Sequence, residues 1–443
     1  MTCFKNDLLI LMWLSMITVQ VDGQVVSQWR GVDRNGIYYE ENLLQRWPEN
    51  GPELLWSTKD LGEGYSSASI TNDAIYVSGL LDTLEYVTAL DLNGKILWQT
   101  EYGPGWNTSH NSSRSTPTVV NSSVYVVSGK GHLACIDSNS GEIKWKIDAN
   151  NRFEGKWEVW GVAESILYHD GKVFYTPCGQ KTTMVALDAE SGSTVWESLS
   201  ISDSSAYVSP ILINYAGRDM IVSLTSNYIF AIDPENGTII WKKAYSDIQP
   251  PEGNPYFRIS NTNSPIYYEG HIYITSGYNH GGAMFKLSED GSDADLIWTD
   301  STLDVHHGGA VLLNGYIYGS NWLHNGNGNW CCIKWETGET MYESSWINKG
   351  SVIAAENRLF CYEEKTGHIA LVEPNVDDFT IISTFRPFEK GWPHWAHLVI
   401  RDGVMYVRYK DVLNAYMIAE SVLSGKAGSS YSHEGNHQYS HPH

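Results

Sequence analysis

Several short segments of small residues are preceded by polar and aromatic side chains, and these side chains are the ones that could do chemistry. An arginine could bind a carboxylate, a glutamate could act as a base or bind a cation, and histidines could titrate or bind a metal ion. The catalytic candidates are Glu164, His306 and His307. The candidates for binding a ligand are Tyr65, Arg114, Tyr207, Asn263, Trp392, His394 and His397.

The same residues also have purely structural interpretations. Arg114 and Glu164 could pair with each other or with neighbouring strand ends, and the histidines could cap exposed backbone groups. The doublet His306-His307 precedes two glycines, whose conformational freedom suits a ligand contact. Because adjacent residues of a strand face opposite ways, only one of the two imidazoles is expected to point inward.

Other features bear on ligand chemistry. The Gly/Asn-rich run from His324 to Asn329 predicts a long hairpin loop that lines a channel mouth together with Trp322 and Trp330. Stacked aromatic rings of this kind could hold sugar rings. The sequence contains no Gly-x-Ser-x-Gly elbow, His-Glu-x-x-His helix or phosphate-binding loop, so the common hydrolase and nucleotide-hydrolase functions lose support. No metal site is predicted, including at the C-terminal histidines His433, His437, His441 and His443.

The elements that must position these residues follow from an internal repeat. A β-rich run, a hydrophobic segment ending in Asp, a Gly turn and an apolar run ending in Trp recur over 124–145, 173–196 and 229–241. The spacing of the tryptophans is that of one four-stranded propeller blade. Tyr342 and Phe385 continue the series. The blade-docking residues are predicted to be Trp56, Trp98, Trp145, Trp196, Trp241 and Trp298.

The predicted fold is an all-β, eight-bladed β-propeller of four-stranded antiparallel blades. Eight segments of small residues are candidates for the innermost strands: 66–69, 115–118, 163–166, 208–211, 263–266, 307–310, 350–353 and 395–398. The last unit has three recognisable strands, and the N-terminal segment 53–56 is predicted to supply its missing outer strand. Such a closure removes an exposed sheet edge.

The two ends of the chain have different compositions from the repeats. Residues 1–23 contain a short apolar run and predict a signal peptide, residues 24–420 the propeller, and residues 421–443 a disordered tail rich in His, Ser and Gly. The apolar run is too short for a transmembrane span. The formal charge of −22 disfavours nucleic acid as a partner. A periplasmic or secreted location is expected.

The repeat phrases "HLACIDSNSGEIKWK", "TMVALDAESGSTVWE" and "IFAIDPENGTIIWKK" resemble those of the PQQ-like, or quinoprotein-type, β-propellers. The resemblance covers roughly residues 28–420 and includes exported bacterial repeat proteins and the assembly lipoprotein of the β-barrel assembly machine. Its quinoprotein members imply pyrroloquinoline quinone (PQQ), a Ca²⁺ ion held by Glu, Asn and Asp, an Asp base, and a disulfide between adjacent cysteines. The adjacent cysteines here, Cys331-Cys332, are interpreted as strand packing, and no complete ligand set is found.

The cofactor is therefore unknown at this point, although PQQ and calcium remain open. The leading hypothesis is a non-catalytic, monomeric scaffold that binds an envelope protein or a small-molecule or glycan ligand. One alternative is a PQQ- and calcium-dependent dehydrogenase of alcohols or sugars. The other alternative is a carbohydrate-binding or carbohydrate-active propeller.

Overall fold

A computed structural model describes residues 26–246, 248 and 260–420, and this part of the chain is almost entirely β-strand. The predicted signal peptide and C-terminal tail lie outside the described residues. Within those residues the one α-helix, α1, is a single turn over Ala149–Arg152. None of the described helical structure has the length and apolar character of a membrane span.

The strands form eight sheets arranged as successive blades. Before the first blade come β1 (Val26–Ser27), β2 (Ile37–Tyr38) and β3 (Glu53–Thr58). Blade one contains β4 (Ser69–Ile70), β5 (Ile75–Leu81), β6 (Leu84–Leu90) and β7 (Ile96–Pro104). Blade two contains β8 (Thr118–Val120), β9 (Ser123–Val127), β10 (His132–Asp137) and β11 (Ile143–Asp148). Blade three contains β12 (Leu167–His169), β13 (Lys172–Tyr175), β14 (Val185–Asp188) and β15 (Thr194–Glu197). Blade four contains β16 (Ile211–Tyr215), β17 (Arg218–Leu224), β18 (Tyr228–Ile232) and β19 (Ile239–Ala244).

The second half of the ring repeats this order. Blade five contains β20 (Ile266–Tyr268), β21 (His271–Thr275), β22 (Gly282–Leu287) and β23 (Ala294–Asp300). Blade six contains β24 (Val305–Leu313), β25 (Tyr316–Asn321), β26 (Trp330–Lys334) and β27 (Thr340–Ser344). Blade seven contains β28 (Gly350–Ala355), β29 (Arg358–Glu363), β30 (Ile369–Glu373) and β31 (Thr380–Phe385). Blade eight contains β32 (Val399–Arg401), β33 (Val404–Tyr409) and β34 (Val412–Met417).

The ring closes through β3, which is the outer strand of blade eight. It pairs antiparallel with β34, with Glu53 opposite Met417 and Thr58 opposite Leu413. The sheet order is β3-β34-β33-β32. The predicted eight-bladed ring and its closure by an N-terminal strand are therefore confirmed.

Neighbouring blades contact each other through the repeated Asp-Gly turn of one blade and a tryptophan of the blade before it. In blade two, Asp137 Oδ1 accepts hydrogen bonds from the backbone N–H groups of Asn139 and Ser140, and Gly141 has a φ of +75°. Trp98 of blade one donates its indole N–H to the Ser138 carbonyl of this turn at 3.1 Å. Equivalent bonds run from Trp56 to Leu92, from Trp145 to Ala189 and from Trp196 to Pro234. Four tryptophans thus bind the turn of the next blade, whereas the indole N–H groups of Trp241 and Trp298 have no hydrogen-bond partner among the described residues.

The core lies between neighbouring blades rather than in one central mass. Between blades one and two, for example, Val87, Ala89, Val124 and Ala134 are fully buried in one cluster. Six of the eight segments predicted as innermost strands lie just before the regular strand or overlap only its first residue. For example, β8 starts at Thr118, the last residue of the predicted segment 115–118. The small residues that precede the strands instead form the wall around the axis.

The segment from β1 to β2 crosses the axis, a feature that the sequence did not predict. β1 pairs antiparallel with β8 of blade two, and β2 pairs parallel with β28 of blade seven. Between them, Arg30 donates to the carbonyls of Val352 and Ala310, and Arg34 donates to those of Ser165, Pro210 and Ile166. We call residues 26–38 the axial plug, because two buried arginines tie this segment to the backbone carbonyls of four blades.

Candidate functional site

A cavity of about 270 Å³ lies on the axis at the end where the innermost strands begin. Its polar lining comes from His110, Arg114, Ser209, Thr262, His306, His307, Asn325, Glu364 and His397. Its aromatic lining comes from Trp29, Tyr65, Trp160, Tyr207, Tyr278, Trp392 and Trp395. Because these residues come from the plug and from all eight blades, the cavity exists only in the closed ring.

The aromatic rings form contacts with one another around the cavity. Trp160 stacks on Tyr278 with an interplanar angle of 14°, at a centroid distance of 6.3 Å. On the opposite side, Trp395 packs edge to face against Tyr65 at 4.8 Å and lies 6.2 Å from Trp392. Trp392 is 54% exposed, so it stands at the open side of the cavity.

The axial plug closes part of the cavity with Trp29 and fixes the adjacent histidine. Arg30 donates to Nδ1 of His397 at 3.0 Å, so the other ring nitrogen of His397 carries the proton and donates to the His307 carbonyl at 3.0 Å. Burial, and next the Arg30 charge, lower the pKa of His397 to about 3. His397 is therefore a neutral, fixed hydrogen-bonding group.

Both imidazoles of the doublet reach the cavity, so the prediction that only one of them points inward is wrong. The register of β24 on β25 jumps from Val305↔Asn321 to Ala310↔Gly319, and this bulge removes the strict alternation of faces. The rings of His306 and His307 lie 3.5 Å apart, centroid to centroid. Gly308 permits the bulge, since a Cβ there would stand 1.9 Å from the Gly350 carbonyl oxygen.

His306 is the least satisfied polar side chain of the site. Among the described residues, neither of its ring nitrogens has a hydrogen-bond partner, although the residue is buried. Its closest ring neighbour besides His307 is Tyr278, which packs at right angles to it at 4.7 Å. Burial lowers the pKa of His306 well below its ordinary value, and burial followed by the charge of Lys349 lowers that of His307 to about 3.

A buried ion pair between Lys349 and Glu364 lies beside the doublet, and the sequence analysis missed it. Lys349 Nζ stands 2.6 Å from Oε1 of Glu364, and both side chains are at most 5% exposed. Trp395 donates its indole N–H to Oε2 at 2.9 Å, and His307 Nδ1 lies 3.9 Å from that oxygen. Lys349 directly precedes a segment predicted as an innermost strand, as Arg114 does, and that position was the signal that could have identified it.

Arg114 and Glu164 do not pair. Arg114 lines the cavity, and its guanidinium donates to the carbonyls of Trp160, Ser109 and His110. Glu164 lies outside the cavity lining and accepts hydrogen bonds from the N–H of Thr176, at 3.1 Å, and from its hydroxyl, at 3.3 Å. Burial raises the pKa of Glu164 to about 8, although the Arg34 charge partly opposes this shift.

The other predicted residues divide into two groups. Tyr65, Tyr207 and Trp392 line the cavity with Arg114, His306, His307 and His397. Asn263 and His394 do not line it. Asn263 instead supports the doublet, because its Nδ2 donates to the Val305 carbonyl at 2.7 Å and its Oδ1 accepts from Gly309 N–H at 3.1 Å. His394 is buried and hydrogen-bonds through Nδ1 to the Tyr362 hydroxyl at 2.6 Å.

The Gly/Asn-rich hairpin loop lies partly at the cavity, and the adjacent cysteines lie away from it. Asn325 of the loop lines the cavity and Trp322 touches His306, but Trp330 is buried against Phe379, so its predicted place at the mouth is wrong. Alternation along β26 points Trp330 into the blade interface. Cys331 and Cys332 are buried free thiols in β26 and do not line the cavity.

Comparison with known proteins places these features among PQQ-like propellers. The family model of outer membrane protein assembly factor BamB matches residues 84–371. Over 163 residues the chain is 27% identical to outer membrane protein assembly factor BamB of Moranella endobia, an alignment covering 35% of this chain and 37% of that protein. It is 26% identical over 181 residues to the protein of the same name from Salmonella typhimurium, covering 40% of this chain and 41% of that one.

A third curated relative is an enzyme. Over 156 residues the chain is 28% identical to quinohemoprotein alcohol dehydrogenase ADH-IIG of Pseudomonas putida, covering 32% of this chain and 21% of that protein. In all three alignments the chain spans less than half of the relative's length.

Solved structures share the fold. BamB from Moraxella catarrhalis superposes with a TM-score of 0.59 at 15% identity, covering 83% of this chain and 99% of that one. A europium-containing methanol dehydrogenase gives 0.63 at 14% identity, covering 86% and 89%. A BamB protein and a methanol dehydrogenase are thus both similar in fold, and the functional choice depends on the residues of the site.

Proposed function

The chain belongs to the PQQ-like propeller family of outer membrane protein assembly factor BamB, and from this premise we propose that it is a non-catalytic binding scaffold whose axial cavity holds a carbohydrate. The observation that carries the proposal is the lining of the cavity. Seven aromatic rings enclose about 270 Å³, with an arginine, imidazoles and an amide between them.

This lining suits a sugar in size and chemistry. Ligand pockets commonly measure about 300–1,000 Å³, so a cavity of 270 Å³ fits a ligand of about one or two sugar rings. Aromatic faces pack against the apolar C–H faces of such a ring, and seven aromatic side chains line the cavity. Arg114 and Asn325 then offer hydrogen bonds to hydroxyl or carboxylate groups at the ring edge.

The carboxylates argue against catalysis on the bound sugar. Glycoside hydrolysis commonly uses two carboxyl groups about 5–10 Å apart across the scissile bond. Among the described lining residues Glu364 is the one carboxylate, and Lys349 already pairs with it. Glu164 is outside the cavity lining. The arrangement binds a ligand but supplies no pair of groups to cleave it.

The residues present also do not fit PQQ with calcium. The resemblance implies Glu, Asn and Asp oxygens around the ion, whereas Glu364 is the one carboxylate among the described lining residues and Asn263 is engaged with backbone groups of blade six. The adjacent cysteines lie in β26, where they cannot form a wall for a quinone. We therefore derive no oxidation step for this protein.

The proposal also includes an envelope location and a protein partner. Two curated relatives are outer membrane protein assembly factors, and this similarity supports a periplasmic or secreted location. With the small ligand bound on the axis of the closed ring, the outer edges of the blades remain accessible to a protein partner.

Isothermal titration calorimetry of the full chain tests the carbohydrate. Neutral hexoses, hexuronic acids and their disaccharides are titrated into wild-type protein, Trp392→Ala and a matched control, Tyr268→Ala, whose ring is similarly exposed but outside the cavity lining. We expect binding of at least one sugar class, weakened about tenfold or more by Trp392→Ala and unchanged by the control.

Two outcomes would overturn the proposal. One is the absence of heat with every sugar at millimolar concentration, and the other is sugar binding that Trp392→Ala leaves unchanged. Arg114→Met distinguishes acidic from neutral sugars, because only a carboxylate ligand should lose most of its affinity. PQQ with Ca²⁺ is titrated in parallel, and stoichiometric binding of this pair would favour the dehydrogenase alternative.

A further inference from the structure

We propose that His306, His307 and Glu364 form a binding site for a divalent transition-metal ion, of the Zn²⁺ class, whose open coordination positions face the axial cavity. One ligand atom from each of the three residues lies within 4.8 Å of the others. The histidines come from blade six and the glutamate from blade seven, so the site bridges two blades. The inference does not rest on the carbohydrate.

The donor set selects the class of metal. Two imidazole nitrogens and one carboxylate oxygen suit Zn²⁺, Co²⁺ or Fe²⁺, whereas Ca²⁺ and Mg²⁺ prefer oxygen ligands throughout. Three protein ligands leave at least one position for water or a ligand atom. That position faces the cavity, because all three residues line it.

The unpartnered state of His306 points independently to a ligand. Both of its ring nitrogens are buried without a hydrogen-bond partner among the described residues. Buried polar groups without partners are uncommon and costly. A metal ion bound by one of these nitrogens gives that nitrogen a partner, and the ring of Tyr278 packs at right angles to the imidazole at 4.7 Å.

Neighbouring groups hold the three residues in position. Lys349 occupies Oε1 of Glu364, and Trp395 donates to Oε2, so the carboxylate has a fixed orientation and can present Oε2 to the ion. Asn263 and Thr262 bind the backbone of the bulge that carries the doublet. His307 Nδ1 already lies 3.9 Å from Oε2, close to the roughly 3.4 Å that separates ligand atoms around a tetrahedral ion at bonds of about 2.1 Å.

The test measures metal binding by the full chain in a background that lacks the C-terminal histidines. In this background His433, His437, His441 and His443 are all replaced by Ala, because an exposed histidine tract can bind metal by itself. Calorimetry with ZnCl₂ and visible absorption with CoCl₂ report stoichiometry and coordination. We expect one ion per chain and the absorption bands of four- or five-coordinate Co²⁺.

Variants then assign the ligands. His306→Ala and His307→Ala should each weaken Zn²⁺ binding by about tenfold to a hundredfold, and His271→Ala, in β21 and outside the cavity lining, should not. Glu364→Gln leaves Lys349 without its partner, so Glu364→Gln/Lys349→Met is made as well and thermal unfolding confirms that each variant folds. If both glutamate variants fail to fold, the two histidine variants decide the question.

Loss of all Zn²⁺ heat on replacing the C-terminal histidines would contradict the site. Unchanged affinity in His306→Ala and His307→Ala would contradict it equally. Because neither readout involves a sugar, failure of the metal site is distinguishable from failure of the carbohydrate proposal.

Discussion

Several charged side chains are buried close to the axis, and most of them are satisfied by neutral groups. Arg30 and Arg34 bind backbone carbonyls, and Glu164 binds Thr176. Among the buried charges of the described residues, Lys349 and Glu364 form a close ion pair with each other. Removing a charge from water is costly, so these positions set much of the protein's response to pH and to substitution.

The pH dependence of stability can be traced to Glu164. Its pKa is raised to about 8 by burial, whereas an unfolded glutamate has a value near 4.5. Between these values the folded state binds more protons than the unfolded state, so this residue makes stability fall as the pH rises from about 4.5 to about 8, by at most about 1.4 kcal/mol per pH unit. Glu164→Gln should remove this slope, as measured by urea unfolding at several pH values.

A difference in unfolding free energy between wild type and Glu164→Gln that stays constant from pH 5 to pH 8 would contradict this assignment. Glu158→Gln, at a half-buried position, is the control substitution, and the pH dependence that Glu164→Gln removes should persist in it.

The Lys349–Glu364 pair should show strong coupling. Removing one partner leaves the other charge buried and unpaired, so Lys349→Met and Glu364→Gln should each lower the unfolding free energy by about 3–5 kcal/mol. The double variant should lose much less than the sum of the two. Urea unfolding of all four proteins gives the coupling energy, and additive losses would show that the pair is not a coupled unit.

At the scale of the element, the Asp-Gly turn and the tryptophan of the preceding blade form one unit. Gly192 combines a φ of +66° with close contact to Trp145, because a Cβ at this position would stand 2.7 Å from Cδ2 of the indole. Such an element could be predicted from the sequence, since Asp, Gly and Trp recur at fixed intervals. The blade is therefore specified locally.

Gly192→Ala tests this contact. Its cost should be about 2–4 kcal/mol, because the backbone strain of a positive φ, about 1 kcal/mol, adds to the displacement of the indole. Gly171→Ala is the matched control, with a φ of +71° and nothing within 4 Å of the added Cβ, and should cost only about 1 kcal/mol. Equal losses in the two variants, measured by thermal and urea unfolding, would show that the Trp145 contact is unimportant.

The bulge in β24 could not be predicted from the sequence of that strand alone. Two adjacent histidines in a regular strand should face opposite ways, but the register jump before Ala310 brings both to the cavity. Register depends on the pairing partner and on the crowding of Gly308 against Gly350, which no local sequence pattern records. The ion pair of Lys349 and Glu364 was missed for a similar reason, because the two residues meet only across a hairpin.

At the scale of the whole molecule, two N-terminal segments hold the ring closed. β3 completes blade eight, and the axial plug joins blades on opposite sides of the axis. The first closure could be predicted because the last repeat lacks an outer strand. The plug could not, since its two short strands and two arginines follow no repeat and acquire their roles only when eight blades surround them.

Arg34→Met tests the plug. The substitution leaves the carbonyls of Ser165 and Pro210 without this donor, so we expect a loss of several kcal/mol and faster amide hydrogen exchange at the inner ends of blades three and four. Arg218→Met, at an exposed position in β17 of blade four, is the control. Unchanged exchange in Arg34→Met would mean that the plug does not stabilise the ring.

The central claim is that the axial cavity is the binding site, and a crystal structure of the protein with the sugar selected by calorimetry tests it most directly. We predict density for one or two sugar rings between Trp392, Trp395 and Tyr278, within reach of Arg114. Density on the outer blades with an unchanged axial cavity would contradict the claim.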